Sequence, residues 1–279
     1  MRDQSLNKNY KYPLVSIITV CFNSVTAIED TIISVINQNY ENIEYIIIDG
    51  GSTDGTIDII KKYEKYISKW ISESDNGIYD AMNKGIELST GDWIIFMNAG
   101  DIFYDKDVIS QIFNRDVSEF DFIYGDCHVR YDNGFSRVKR AGKISDMWKG
   151  MIFSHQAVFI KNNLMKEHKY NIKNKIGADF EFIYKMYRHG AKFLYSDKII
   201  ASISAGGLSD TARIESIKSH WNSVKRFDPS IKINIYYLYL IIDEIFRRAI
   251  KTILPNKIKN QILRFKYRKD SKIEDVYYE

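Results

Sequence analysis

Cysteine and proline are scarce in this chain, with two of the first and three of the second among 279 residues. Cys21 and Cys127 are too few and too far apart for a disulfide framework, which excludes the disulfide-knit secreted scaffolds and points to a reducing compartment. Cys21 sits in an apolar run and reads as a core residue. So few prolines, with ordinary apolar content, also exclude collagen-like and proline-rich disordered chains. Long hydrophobic runs are missing too. A bilayer-spanning helix needs roughly 20 apolar residues, whereas the longest candidate, 235–242, is closed by Asp243 and Glu244. Residues 1–11 are polar and carry no apolar core of a secretory signal, so the expectation is a catalytic part that faces the cytoplasm. Charge of one sign is also lacking: 40 Lys and Arg against 36 Asp and Glu give +4. With no zinc-spaced Cys/His set and no RNA-binding signature, nucleic acid is not an expected partner.

What is present is alternation. Residues 14–20 form a β-branched run led by Pro13, as in a buried parallel strand. Residues 26–37 place Ile28, Ile32, Val35 and Ile36 on one helical face. A strand at 43–48, a helix at 56–67, a strand at 69–73, a helix at 79–88 and a strand at 93–97 follow. This order predicts an α/β fold, a mostly parallel sheet with helices on both faces. Beyond residue 120 the pattern turns mixed, with strands at 122–124, 136–139, 157–160 and 192–195 and a helix over 179–188.

Two early strands end in acids. Trp93-Ile94-Ile95-Phe96 leads into Met97-Asn98-Ala99-Gly100-Asp101, and 43–48 into Asp49-Gly50-Gly51-Ser52-Thr53-Asp54-Gly55-Thr56. A carboxylate at the end of a buried strand can reach a divalent cation and the diphosphate that the cation carries. Sheets of this kind bind ligands outside the carboxyl ends of their strands. Segments 21–24, 49–54, 75–77 and 98–101 all fall there, which suggests a sugar-nucleotide site.

Four blocks, Val15-Ser-Ile-Ile-Thr-Val-Cys-Phe-Asn-Ser24, Ile48-Asp-Gly-Gly-Ser-Thr-Asp-Gly-Thr56, Ser74-Asp-Asn-Gly-Ile-Tyr-Asp-Ala-Met-Asn-Lys-Gly85 and Gly91-Asp-Trp-Ile-Ile-Phe-Met-Asn-Ala-Gly-Asp101, closely resemble glycosyltransferase family 2. The resemblance runs in order over about 13–209 and implies one GT-A (Rossmann-like) domain, with 210–279 as a helical, basic C-terminal extension. It also implies a nucleoside-diphosphate sugar donor, a divalent metal (Mn2+ or Mg2+) and inverting transfer to a hydroxyl. Thr19 and Asn23 match the loop that approaches the nucleotide, with contact expected through the backbone. Asp49 matches the acid that accepts the N3–H of a uracil-like base, which leaves Asp54 a structural role. Asp75, Asn76 and the helix with Asp80, Asn83 and Lys84 match the nucleotide and pyrophosphate side, although a solvated lysine is the plainer reading of Lys84. Where the family has an Asp-x-Asp-Asp-like run, this chain has Asn98-Ala99-Gly100-Asp101, so Asp101 alone is kept as the metal carboxylate beside Asn98 and Ala99.

Within Gly177-Ala-Asp179-Phe-Glu-Phe182, Asp179 matches the catalytic base, and Glu181 should point away from it on a helix. His155 and Gln156 resemble the family's acceptor-side or diphosphate-side pair, and Ala205-Gly-Gly-Leu-Ser209 resembles a segment that closes over the donor. The function implied is transfer of a sugar, from a UDP-sugar or another nucleotide sugar, to a surface-glycan acceptor that a lipid could carry. Two other classes stay open. A nucleotidyltransferase would need a glycine-rich phosphate loop, which Cys21-Phe22-Asn23-Ser24 does not supply. A sugar-nucleotide-binding or scaffold protein without turnover is motivated by Asn98 and Gly100. The tail also has two readings. Residues 231–253 with the basic stretch 257–272 suit a helix lying on the inner face of a membrane, or a packing appendage with a solvated basic face.

Overall fold

The computed structural model describes residues 12–131, 134–207 and 211–253. The basic stretch 257–272, the N-terminal segment 1–11, the expected domain boundary at 209–210 and the last two residues of the 205–209 segment lie outside them.

The first half is built as the alternation predicts. Strands β1 (Val15–Cys21), β2 (Ile43–Asp49), β3 (Lys69–Ser72) and β4 (Trp93–Phe96) interleave with helices α1 (Ile28–Ile36), α2 (Thr56–Lys62) and α3 (Ile78–Leu88). β1 lies between β2 and β4, all parallel, with Cys21 level with Asp49 and Ile18 level with Phe96. The strand ends of β1, β2, β3 and β4 therefore open onto one edge. Every residue of β1 is buried, because Ile18 and Val20 face a core with α3 while Val15 and Ile17 face one with α1. Gly85 lets α3 approach the sheet: a Cβ there would lie 2.5 Å from Ile18 Cγ2.

The second half adds β5 (Ile102–Phe103), α4 (Val108–Ile112), β6 (Phe122–Arg130), β7 (Ser136–Lys139), β8 (Val158–Lys161), α5 (Asn162–His168), α6 (Ala178–Arg188) and β9 (Phe193–Ser204). The sheet order is β3-β2-β1-β4-β8-β6-β9-β5, with β7 on β6, and pairing becomes mixed beyond β4. β6 and β9 outrun the expected strands because both pass an irregularity, where register shifts at Asp126 and Asp197 takes a left-handed φ of 57°. Asp126 is buried there but satisfied by Arg140 at 2.5 Å, the Ala141 amide at 2.8 Å and the Tyr195 hydroxyl at 2.9 Å.

One pairing sets the site. β8 runs antiparallel to β4, with Ile94 opposite Ile160. The residues just before β8, His155 and Gln156, thus come alongside those just after β4, Asn98 to Asp101. The extension forms α7 (Arg213–Lys225) and α8 (Ile231–Ile253), and its Ile217, Val224, Ile233 and Tyr237 join the α3/α6 side of the core.

Candidate active site

At the ends of β1 and β2 the chain forms two facing turns. Asn23, at φ 47°, accepts the Thr53 amide on its Oδ1 at 3.0 Å and donates its own amide to Ser52 Oγ at 2.7 Å. Asp49, expected to face a base, is completely buried. Its Oδ2 takes the Gly51 amide at 3.1 Å, the Ser52 amide at 2.9 Å and Ser72 Oγ at 2.6 Å, and its Oδ1 takes Ser52 Oγ at 2.5 Å. Burial pushes this carboxyl up, but the donors from Ser52 and Ser72 outweigh it and hold the pKa below the ordinary value. Asp49 thus clamps its own turn and leaves no oxygen for a ligand. Asp54 is also structural, accepting the Thr56 hydroxyl at 2.6 Å.

Thr19 is likewise drawn inward. It is fully buried and donates its hydroxyl to the Met97 carbonyl at 2.7 Å, tying β1 to β4. The surface of this edge belongs to two other residues. The Phe22 ring is 60% exposed, and Asp75 brings Oδ2 to 2.7 Å from where a Cβ on Gly50 would stand. Asp75 Oδ1 accepts the Gly77 amide at 2.9 Å, whereas Oδ2 accepts no hydrogen bond from the described residues. Sequence reasoning missed Phe22; its signal was an aromatic directly after a buried strand. Asp80 accepts the Asn76 amide at 2.9 Å, and Lys84 binds the Ser74 carbonyl and Glu73, both at 2.9 Å. These two brace the loop that carries Asp75.

The turn after β4 is held from three sides. The Ala99 amide donates to the Val20 carbonyl at 3.2 Å, the Gly100 amide to Thr31 Oγ1 at 3.0 Å, and Arg130 donates to the Gly100 carbonyl at 2.8 Å. Gly100 has φ 95°, which a carboxylate-bearing residue would adopt only with strain. Asp101 is buried and accepts Gln156 Nε2 at 2.9 Å. Burial raises its pKa despite Gln156 and the positive charge of Arg130. Asn98 donates Nδ2 to His155 Nε2 across 3.3 Å, while its Oδ1 is buried without a partner. The other such atom among the described residues is Arg130 Nε, at the same turn.

Among the described residues no three His, Cys, Asp or Glu side chains gather as a metal cage. What the turn supplies is one buried carboxylate short of positive charge and an orphaned amide oxygen. This set fits a hard cation that takes the rest of its shell from phosphate and water.

Asp179 lies in the first turn of α6 with its side chain 15% exposed. Its Oδ1 accepts the Tyr79 hydroxyl at 2.8 Å, and its Oδ2 lies 3.9 Å from His155 Nδ1. The His155 ring thus stands between the two, with Nε2 toward Asn98 and Nδ1 toward Asp179. Burial and the Asp179 charge push Tyr79 far up, so it stays a donor. Glu181 faces elsewhere, bound by Asn174 at 2.7 Å and by Arg226 just after α7. α7 also backs the base: the His220 ring packs 4.1 Å from that of Phe180, and burial lowers its pKa to about 4. A Cβ on Gly177 would lie 2.5 Å from Ser219 Oγ, so the entry to α6 fits closely against this helix.

The site thus joins an exposed aromatic and carboxylate at one end of the strand edge, an acidic turn in the middle and a braced carboxylate on the opposite wall. On this fold, that defines a GT-A glycosyltransferase. The chain belongs to glycosyl transferase family 2, whose profile matches residues 16–203. It is 30% identical over 207 residues to a PGL/p-HBAD biosynthesis glycosyltransferase of Mycobacterium bovis, covering 71% of this chain and 80% of that one. Among solved structures it resembles a mannosyltransferase from Pyrobaculum calidifontis in complex with GDP-Man and Mn2+, with TM-score 0.64 and 16% identity over 93% of this chain and 83% of that one. It also resembles S. aureus TarS 1-349 in complex with UDP-GlcNAc, with TM-score 0.61 and 16% identity over 84% and 73%. Against the longer TarS chain it spans 43% of the length.

Proposed function

We propose that the protein transfers one sugar from a nucleotide-sugar donor, a UDP-sugar by preference, to a hydroxyl of a growing surface glycan carried on a lipid, with inversion at the anomeric carbon. The observation that carries this reading is the position of His155, whose ring touches Asn98 on one side and faces Asp179 on the other. A single imidazole therefore separates the turn suited to the diphosphate from the carboxylate suited to the acceptor.

Phe22 offers a face for the base and Asp75 an acceptor for its ring N–H. Asp101 and Asn98 would hold a Mn2+ or Mg2+ ion, which would offset charge on the leaving diphosphate. Tyr79 holds Oδ1 of Asp179 at 2.8 Å, and His155 faces its Oδ2 across 3.9 Å. As the acceptor oxygen bonds to the anomeric carbon, Asp179 takes its proton and the bond from that carbon to the diphosphate breaks, releasing the nucleoside diphosphate. Scarce cysteine favours a reducing, cytoplasmic setting. The names of two neighbours support the donor class, since TarS 1-349 is described with UDP-GlcNAc and the mannosyltransferase with GDP-Man and Mn2+.

The test is a screen of nucleotide sugars for diphosphate release, with Mn2+ and with chelator, using wild type and Asp101→Ala in the presence of a membrane-extract acceptor. Release that needs both the metal and Asp101 supports the reading; donor binding with no release from any nucleotide sugar overturns it in favour of a binding protein.

A further inference from the structure

One face of α8 is packed and the opposite face is bare. Ile233 and Tyr237 are buried, and Tyr236, Leu240 and Ile241 pack against the core, so the helix is fixed to the domain. On the other side Ile231, Ile235, Leu238, Tyr239, Ile242 and Phe246 are between 51% and 73% exposed. At 3.6 residues per turn they fall on one arc of roughly 120°, the width of an apolar stripe that normally meets a core. The acids that follow this stripe, Asp243 and Glu244, are paired with Arg247 at 2.7 Å and Arg248 at 2.9 Å. No described helix is long and apolar enough to cross a membrane.

We infer that this face of α8 docks flat on an anionic lipid surface, with the chain beyond it adding attraction to the headgroups. Charge selects this occupant. Past the helix, 257–272 carries Lys257, Lys259, Arg264, Lys266, Arg268, Lys269 and Lys272 against Asp270, and only then do the acids Glu274, Asp275 and Glu279 follow. Each cation close to an anionic surface strengthens binding by roughly fivefold. A second copy seated on the same stripe would instead bring two such basic segments together. The inference rests on the transferase reading only for its use, which is to bring the cleft to a lipid-carried acceptor; docking itself needs no donor.

The experiment is co-sedimentation of the full chain with vesicles of phosphatidylcholine alone and of phosphatidylcholine with phosphatidylglycerol, in low and high salt. Wild type should sediment with the anionic vesicles and release as salt rises. Leu238→Glu/Ile242→Glu, at exposed positions, should lose at least roughly tenfold of this partitioning while keeping the wild-type melting curve and nucleotide binding. Equal sedimentation of the two proteins, or none by wild type, overturns the inference. So does a wild-type dimer in light scattering that the double variant turns into a monomer, which would assign the stripe to a second copy. Loss of nucleotide binding by wild type would count against the transferase reading alone.

Discussion

Replacing Asp75 with alanine should cost the protein most of its grip on the donor's base while leaving the fold intact. Oδ1 of Asp75 is already engaged by the Gly77 amide at 2.9 Å, so the interaction at stake is the one made by Oδ2, above Gly50 and next to Phe22. A hydrogen bond to a charged group contributes about 1.5–3 kcal/mol net, or roughly 10–150-fold in Kd. Because Asp75 is only half-buried, the lower part of that range applies. A carboxylate only accepts, so it favours uracil or guanine, which present a ring N–H, over cytosine, which presents a ring acceptor. Calorimetric titration with UDP, GDP and CDP should therefore show a base preference in wild type that Asp75→Ala and Asp75→Asn erode. Gly50→Ala should act in the same direction, since its methyl would stand 2.7 Å from Oδ2 and push the carboxylate aside. Binding of every nucleotide by Asp75→Ala within twofold of wild type would refute the assignment.

Asp49→Ala should behave in the opposite way, as a stability defect. Four donors from Gly51, Ser52 and Ser72 lose their acceptor; at about 1–3 kcal/mol for each buried group left unpaired, and without full additivity, the loss is on the order of 4 kcal/mol, readable as a urea midpoint lowered by roughly 1 M or more. Since the folded carboxyl sits below its ordinary pKa, its stabilisation is present above about pH 3.9 and disappears as pH falls through the folded value; an acid titration of Asp49→Asn should lack that step. Asp101 has the reverse sign: its pKa is raised by burial, so its favourable contribution exists below the ordinary value and is lost as pH rises through the folded one. In chelator at pH 7, Asp101→Asn should accordingly melt higher than wild type, by about 2–4 °C for each kcal/mol recovered, and should lose turnover; a lower melting point would show that the charge is compensated. Tyr79→Phe removes the 2.8 Å hydrogen bond to Asp179 and should lower kcat about tenfold with donor Kd and melting unchanged. An unchanged kcat would leave Tyr79 a packing residue.

The parallel half of the sheet was readable because β-branched runs and helical stripes alternate there without interruption. β6 and β9 were foreshortened because Gly125-Asp126 and Ser196-Asp197-Lys198 look like turns, and only the Arg140 and Tyr195 contacts make Asp126 tolerable inside the sheet. Within the site, Asp101, Asn98, His155, Gln156 and Asp179 fall together because the antiparallel β4–β8 pairing and the first turn of α6 converge on them. The inward turn of the Thr19 and Asp49 side chains had a sign in the sequence, and for Thr19 it leaves the expected backbone contact untouched. Each shares its parity with buried neighbours, Thr19 with Val15 and Ile17, and Asp49 with Tyr45 and Ile47, so both side chains continue an inward face. Arg130 and His220 carried no local signal. Their roles arise from contacts with Gly100 and Phe180, residues remote in the sequence.

The most direct test of the central claim is the transfer rate of Asp179→Asn, measured beside its donor affinity. The account predicts transfer lowered by roughly 10²–10⁴ with donor Kd within twofold of wild type, because Asp179 serves the acceptor wall and not the nucleotide edge. Transfer at a near wild-type rate would contradict it and move the base elsewhere in the cleft.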